Sequence, residues 1–158
     1  MSRRIAGVLL AMVALVTLVA CGGAKKTSYA SPGAAAGVQQ LWYTIVNGSF
    51  VVPPRTFKPF EIVVGDGMAR PWIEGTFTAS GANNDIEVLL LDEQQYNNWQ
   101  NRHDFRSAYA SGRVTADKFR IELPNEPGKY FMIFSNRFSI FSNKGVVADL
   151  KLRYDRNR

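Results

Sequence analysis

The chain reads as an all-β protein: an antiparallel, jelly-roll-like β-sandwich of about eight strands with one short helix. Three observations predict this. From Leu41 almost to the end of the 158 residues, apolar and polar positions alternate with period two, the spacing of strands with one buried face. Turn-forming clusters punctuate that alternation at Asn47-Gly48, Pro53-Pro54, Gly65-Asp66-Gly67, Ser80 to Asn84 and Asn125 to Gly128. The period becomes helical only once, just after Asp92. Strands with one polar face must pack their other faces together, which implies two stacked sheets.

Each element follows in order. Leu41 to Val46 and Ser49 to Val52 flank Asn47-Gly48, the strongest short-range hairpin signal, so they are expected as a hairpin. Pro53-Pro54 ends it, because proline donates no ladder hydrogen bond. Thr56 to Val64 is the next strand, with Pro59 marking either an edge or a strand that begins only at Phe60. Arg70 to Thr78 sets Ile73, Gly75 and Phe77 on one face and Trp72, Glu74, Thr76 and Thr78 on the other. Asp85 to Leu91 turns Ile86, Val88 and Leu90 inward, and its apolar Leu89 and Leu91 predict cover on the second face as well.

Asp92 is a good cap, Glu93 supplies an acidic first turn, and Leu91, Gln95, Tyr96 and Trp99 fall at helical spacing. A helix over about 93–101 is expected, seated on the sheet by Tyr96 and Trp99. Asn101 to Gly112 reads as irregular, with Phe105 and Tyr109 plugging one end of the sandwich. Thr115 to Leu123 faces Phe119, Ile121 and Leu123 inward. Lys129 to Ser135 has no wet face and is expected to be central. Ser135 to Gly145 is a loop that holds Phe138, Ile140 and Phe141, and Val146 to Tyr154 closes the domain. Phe77, Val88, Ile121, Tyr130, Phe134 and Leu150 are the expected inner-face residues.

The N-terminal residues follow a different logic. Arg3 and Arg4 precede an apolar run from Ile5 to Leu18, and small residues then lead to the single cysteine of the chain, Cys21. This is the layout of an export signal, and the run is short of the roughly 20 residues that span a bilayer. Gly22 to Val38 is rich in Gly, Ala, Ser, Lys and Pro and has little to bury, so it reads as a flexible tether. The organisation expected is a signal at 1–20, a tether at 21–38 and one sandwich domain at 39–158, which holds enough apolar residues for one modest core. With Cys21 as the only thiol, the domain has no disulfide and depends on burial and strand pairing.

Leu18-Val19-Ala20-Cys21 resembles the lipobox of bacterial lipoproteins. The resemblance implies cleavage before Cys21, a diacylglyceride on its thiol and usually a third acyl chain, and two or three chains make a stable anchor. It also implies the cell envelope. Gly22 stands where aspartate commonly marks inner-membrane retention, so in a two-membrane host it implies the outer membrane, facing the periplasm.

A second resemblance lies in the body. Gly75 to Ala79, Asp85-Ile86-Glu87-Val88, Tyr96-Asn97-Asn98-Trp99, Ser111-Gly112-Arg113-Val114 and Leu123 to Asn136, with its Pro127-Gly128-Lys129-Tyr130 strand entry, resemble β-sandwich modules related to the GOLD domain and the pre-peptidase C-terminal domain. The likeness spans roughly Ser49 to Tyr154. It implies an accessory or protein-contact module and carries no catalytic residue.

The chemistry-bearing residues point the same way. His103 is the only histidine, which excludes a multi-histidine metal site. No serine has the nucleophile-elbow sequence. Gly65-Asp66-Gly67 lacks the lysine, the length and the helix of a phosphate loop. Asp66, Asp85 and Asp92 lie at strand ends but without the dense acidic alternation of a calcium loop, and Asp85 reads as a turn residue accepting backbone N–H groups. The formal net charge of +6 is spread through the body, apart from Lys25-Lys26 and the Arg153, Arg156, Arg158 tail, and the predicted compartment argues against nucleic acid. No cofactor or metal is expected. Aromatics remain: Trp42, Tyr43, Trp72, Tyr96, Trp99, Phe105, Tyr109, Phe138 and Phe141 exceed what a small core needs. Of these, Trp72, Trp99, Phe105, Tyr109, Phe138 and Phe141 are the candidate contact residues. Trp72 alternates away from the core, so either it is an exposed anchor or the 101–112 stretch buries it against Phe105 or Tyr109. The expectation is a non-enzymatic, membrane-anchored module contacting an envelope protein, with a carbohydrate- or peptidoglycan-binding module as the alternative. A groove holding Trp72 with carboxylates or amides would favour sugar, and a convex or strand-edge apolar patch would favour protein.

Overall fold

The computed structural model describes residues 37–156. The predicted signal, Cys21 and nearly all of the predicted tether lie outside the described residues. Eight strands are seen among those described: β1 (Gln39–Val52), β2 (Phe57–Val64), β3 (Ala69–Ser80), β4 (Ile86–Asp92), β5 (Tyr109–Val114), β6 (Ala116–Glu122), β7 (Gly128–Ser135) and β8 (Lys144–Arg156). One helix, α1 (Glu93–Gln100), follows β4. They form two four-stranded sheets, β1-β8-β3-β6 and β2-β7-β4-β5. β1 pairs with β8, β2 with β7, β3 with β6 and β4 with β5, all antiparallel. Nested pairs of this kind amount to one long hairpin rolled into two layers, the jelly-roll arrangement. The predicted all-β sandwich with one short helix is what forms.

Between the sheets, the rings of Phe50, Phe60, Phe77 and Phe134 meet edge to face, with centroids 5.1–5.9 Å apart. Phe77, Val88, Tyr130, Phe134 and Leu150 are buried in this core as expected. Ile121 points into it but is only partly buried, because β6 is an edge strand. Gly75 lets β3 approach β8: a methyl group at that position would overlap the Asp149 carbonyl oxygen and the Leu150 side chain.

Two expected elements need correction. Asn47-Gly48 is not a hairpin turn. It lies inside β1, where Asn47 and Gly48 stand opposite Asp149 and Ala148 of β8. The preferred two-residue turn needs positive φ at both residues, and only Gly48 (φ 145°) has it. The 13-residue β8 templates β1 along its whole length, and the strand accommodates this with a bulge between Thr44 and Val46. Tyr109 to Gly112, the end of the stretch expected as irregular, belong to β5 (Tyr109–Val114). It pairs with β4 in a register that shifts between Glu87 and Leu89, and Ser111 Oγ accepts the Val88 N–H at 2.8 Å.

Candidate functional site

Two outer faces flank the core. On the β2-β7-β4-β5 sheet, Leu89, Leu91, Phe131 and Ile133 point outward and α1 covers them. Asp92 caps the helix by accepting the Gln95 N–H at 2.8 Å. Tyr96 stacks on Phe131 (4.1 Å), and Trp99 meets Phe57 edge to face (4.7 Å). The Arg137 guanidinium lies 3.9 Å from the Trp99 ring centre and donates to the Trp99 carbonyl at 3.2 Å. Burial, and then the Arg102 charge, push Arg137 down from its ordinary value.

Among the described residues, no helix covers the outer face of the β1-β8-β3-β6 sheet. Its cross-strand rows follow from the register: Trp42, Arg153, Trp72 and Glu122 form one row, and Thr44, Lys151, Glu74 and Arg120 the next. Asn47, Asp149, Thr76 and Lys118 form the third. Trp72 is 7% exposed although it lies outside the core. Its indole N–H donates to Glu74 Oε2 at 3.1 Å, and the Arg120 guanidinium lies 4.5 Å from its ring centre. Arg153 donates to the other Glu74 oxygen and lies 5.7 Å from the ring of Trp42, which is 61% exposed. The Trp72 N–H bond and then Arg153 hold the Glu74 carboxyl below its ordinary value, against the smaller opposing effect of its desolvation.

A groove of about 400 Å³ opens beside Trp72, lined by Gln40, Arg70, Arg120, Glu122, Asn125 and Asp155 among others. It is shaped by the irregular start of β3. Arg70 adopts φ 48° just before Pro71, its N–H donates to Asn125 Oδ1 at 2.7 Å, and its guanidinium pairs with the buried Asp155 at 2.5 Å. A second hollow of about 540 Å³ continues along the face between Arg120, Lys118, Asp149 and Lys151. Within it, Asp149 Oδ1 is one of two buried side-chain oxygens without a hydrogen-bond partner among the described residues.

The other candidates scatter. Trp99 is buried under α1. Tyr109 tilts onto Phe119 at 4.9 Å and donates its hydroxyl to Asp117. Its phenol is raised by burial first and Asp117 second. Phe138 lies in the β7–β8 loop beneath Arg113, 4.2 Å from its ring centre. Phe105 is 41% exposed after α1, and Phe141 is 91% exposed at the β7–β8 loop. Neither expectation for Trp72 holds. It points away from the core as alternation requires, yet it is buried, and its cover is Arg120 and Glu74. The strand part of the 101–112 stretch, from Tyr109 on, belongs to the other sheet. Asp85 also differs from its expected turn role: it pairs with the buried Lys144 at 2.5 Å. Alternation marks Arg120, Glu74 and Arg153 only as outward, so it does not single them out as site residues. Strand register is what gathers them on Trp72.

Among the described residues, no three His, Cys, Asp or Glu side chains gather as a metal-ligand group, and no helix is long and apolar enough to cross a membrane. No protein-family model matches the chain, and no curated protein matches it in sequence. The fold and this face together define a two-sheet, all-β sandwich with one helix-covered outer face and one open.

Proposed function

We propose that the chain is a lipid-anchored envelope protein whose sandwich, a GOLD-like module, makes a non-catalytic protein contact through the open sheet face. The observation that carries this reading is the Trp42–Arg153–Trp72–Arg120 array. Tryptophan and arginine dominate the energetics of protein interfaces, and here they stand on a rigid sheet interleaved with carboxylates. Anchoring rests on the Leu18 to Cys21 motif, and it implies a partner in the same envelope.

Crosslinking in native envelope, followed by affinity capture, tests the contact. Trp42→Ala and Arg120→Glu should each lose the crosslinked partner, while Phe105→Ala and Phe141→Ala, on other surfaces, should retain it. Equal capture by all four variants would rule out this face. For the anchor, Cys21→Ser should leave the membrane fraction; recovery there at wild-type level in high salt would refute lipidation.

One observation favours a carbohydrate ligand instead. The Trp72 groove carries the carboxylates and amides of Glu122, Asp155, Gln40 and Asn125. Against it, Arg120 occupies the ring face on which a sugar would stack. Saturable quenching of Trp72 fluorescence by soluble peptidoglycan fragments, lost in Glu122→Gln, would transfer the assignment to sugar.

A further inference from the structure

Among the described residues, the two sheets have four edge strands, β1 and β6 in one and β2 and β5 in the other. Exposed edges invite pairing with other chains, and folded proteins blunt them with charges, prolines, bulges or short length. Three of these edges carry such devices. β2 has Lys58, Pro59 and Glu61, and β6 has four charged residues in seven. β5 is six residues long, with Gly112 at φ 63°. β1 is the exception. Its 14 residues, Gln39 to Val52, include no charged residue and no proline, and its one bulge falls mid-strand.

We propose that β1 pairs antiparallel with β1 of a second copy of this chain, joining the two β1-β8-β3-β6 sheets into one. The occupant follows from the strand itself. The bulge at Ile45 switches the alternation, so Trp42 and Thr44 share the outer face with Asn47, Ser49 and Val51, while Tyr43 shares the inner side with Phe50. Skipping the bulged residue, a two-fold axis through Asn47 keeps the faces matched and sets Thr44 opposite Ser49, Tyr43 opposite Phe50 and Trp42 opposite Val51 of the other copy. Aromatic–aromatic, aromatic–β-branched and hydroxyl pairs are the favourable cross-strand combinations, and a neutral strand places no like charges against each other. The interface is isologous, as closed dimers require.

Cysteine scanning in the full-length chain tests the register. In the pairing, Asn47 faces its own copy at about 4.5–5.5 Å between Cα atoms, within the range a disulfide spans. Ser49 lies about 13 Å from its own copy, four strand positions away. Under mild oxidation, Asn47→Cys should form a covalent dimer, while Ser49→Cys alone should not exceed the wild-type background. Combining Thr44→Cys with Ser49→Cys should restore the dimer. Thr44→Lys should abolish self-association by sedimentation of the detergent-solubilised chain while leaving its circular dichroism unchanged. Equal crosslinking at Asn47 and Ser49, a dimer indifferent to Thr44→Lys, a monomer at all concentrations, or crosslinking of Asn47→Cys to a different protein would each overturn the proposal.

Discussion

Trp99 and Trp72 are equally buried, at 7% exposure each, on opposite outer faces of the sandwich. Trp99 is covered by packing: its own helix carries it onto Leu89, Leu91 and Ile133, with Phe57 and Phe131 around the cluster. Trp72 is covered by charge: Arg120 lies over the ring and Glu74 holds the indole N–H. Equal burial does not imply an equal role. An apolar cluster fixes a face permanently, whereas an exposed arginine over a ring can swing away and leave the tryptophan to a partner. The first face is structural and the second is available.

The largest expected effect is on the helix-covered face. Trp99→Ala removes the centre of the α1 cluster and should cost about 3–5 kcal/mol, measured by equilibrium denaturation. A loss below about 0.5 kcal/mol, the range of ordinary surface changes, would mean that α1 does not hold its sheet and that the two faces do not differ as described.

Trp72→Ala should cost less, about 1–3 kcal/mol, because its cover is solvated side chains that can close over the gap. Partner crosslinking should disappear in the variant at temperatures where circular dichroism shows it folded. Destabilisation matching that of Trp99→Ala would make Trp72 structural and remove the contrast.

The fold was largely legible, and its failures are instructive. Alternation found the buried faces of β3, β4, β7 and β8, and the apolar second faces of β4 and β7 foretold the cover that α1 supplies. The strand total agrees with expectation through two compensating errors. Local turn chemistry divides β1 at Asn47-Gly48, whereas the 13-residue β8 that holds it as one strand is about a hundred residues away. β5 was missed because Tyr-Ala-Ser-Gly-Arg-Val has no alternation and becomes a strand only by pairing with β4. The site was less legible for the same reason. Trp72's outward direction is a property of its own strand, but its burial depends on Arg120 standing opposite Glu74, and register between strands is not written in either one.

Arg120→Gln sharpens the comparison further. It removes the cation over Trp72 and leaves the Glu74 bond intact. Iodide should then quench Trp72 more strongly, by about two-fold, with a stability change of about 0.5–1 kcal/mol, the range for exposed cation–π contacts. The matching Arg137→Gln change should leave Trp99 as protected as before, since the helix still covers it. Increased quenching of Trp99 as well would show that arginine shields both rings.

Acid provides the smallest and most selective test. Glu74 is held below its ordinary value of 4.5 by the Trp72 N–H and then by Arg153. A carboxyl depressed in the folded state stabilises the fold fully above its unfolded-state value, and that contribution is lost as pH falls through the folded value. The stabilisation should therefore be intact at neutral pH and begin to fade only below about pH 4.5, amounting to no more than about 1 kcal/mol because the pair is partly exposed. Glu74→Gln should flatten this part of the pH profile while the Trp99 side of the molecule responds as in wild type. With a single-tryptophan reporter at position 72, the emission change should follow the acid limb in wild type and be absent in the variant. An emission change at the same pH in Glu74→Gln would assign the acid response to a group other than Glu74. Trp72 would then be covered for reasons independent of Glu74, with Arg120 as its remaining cover.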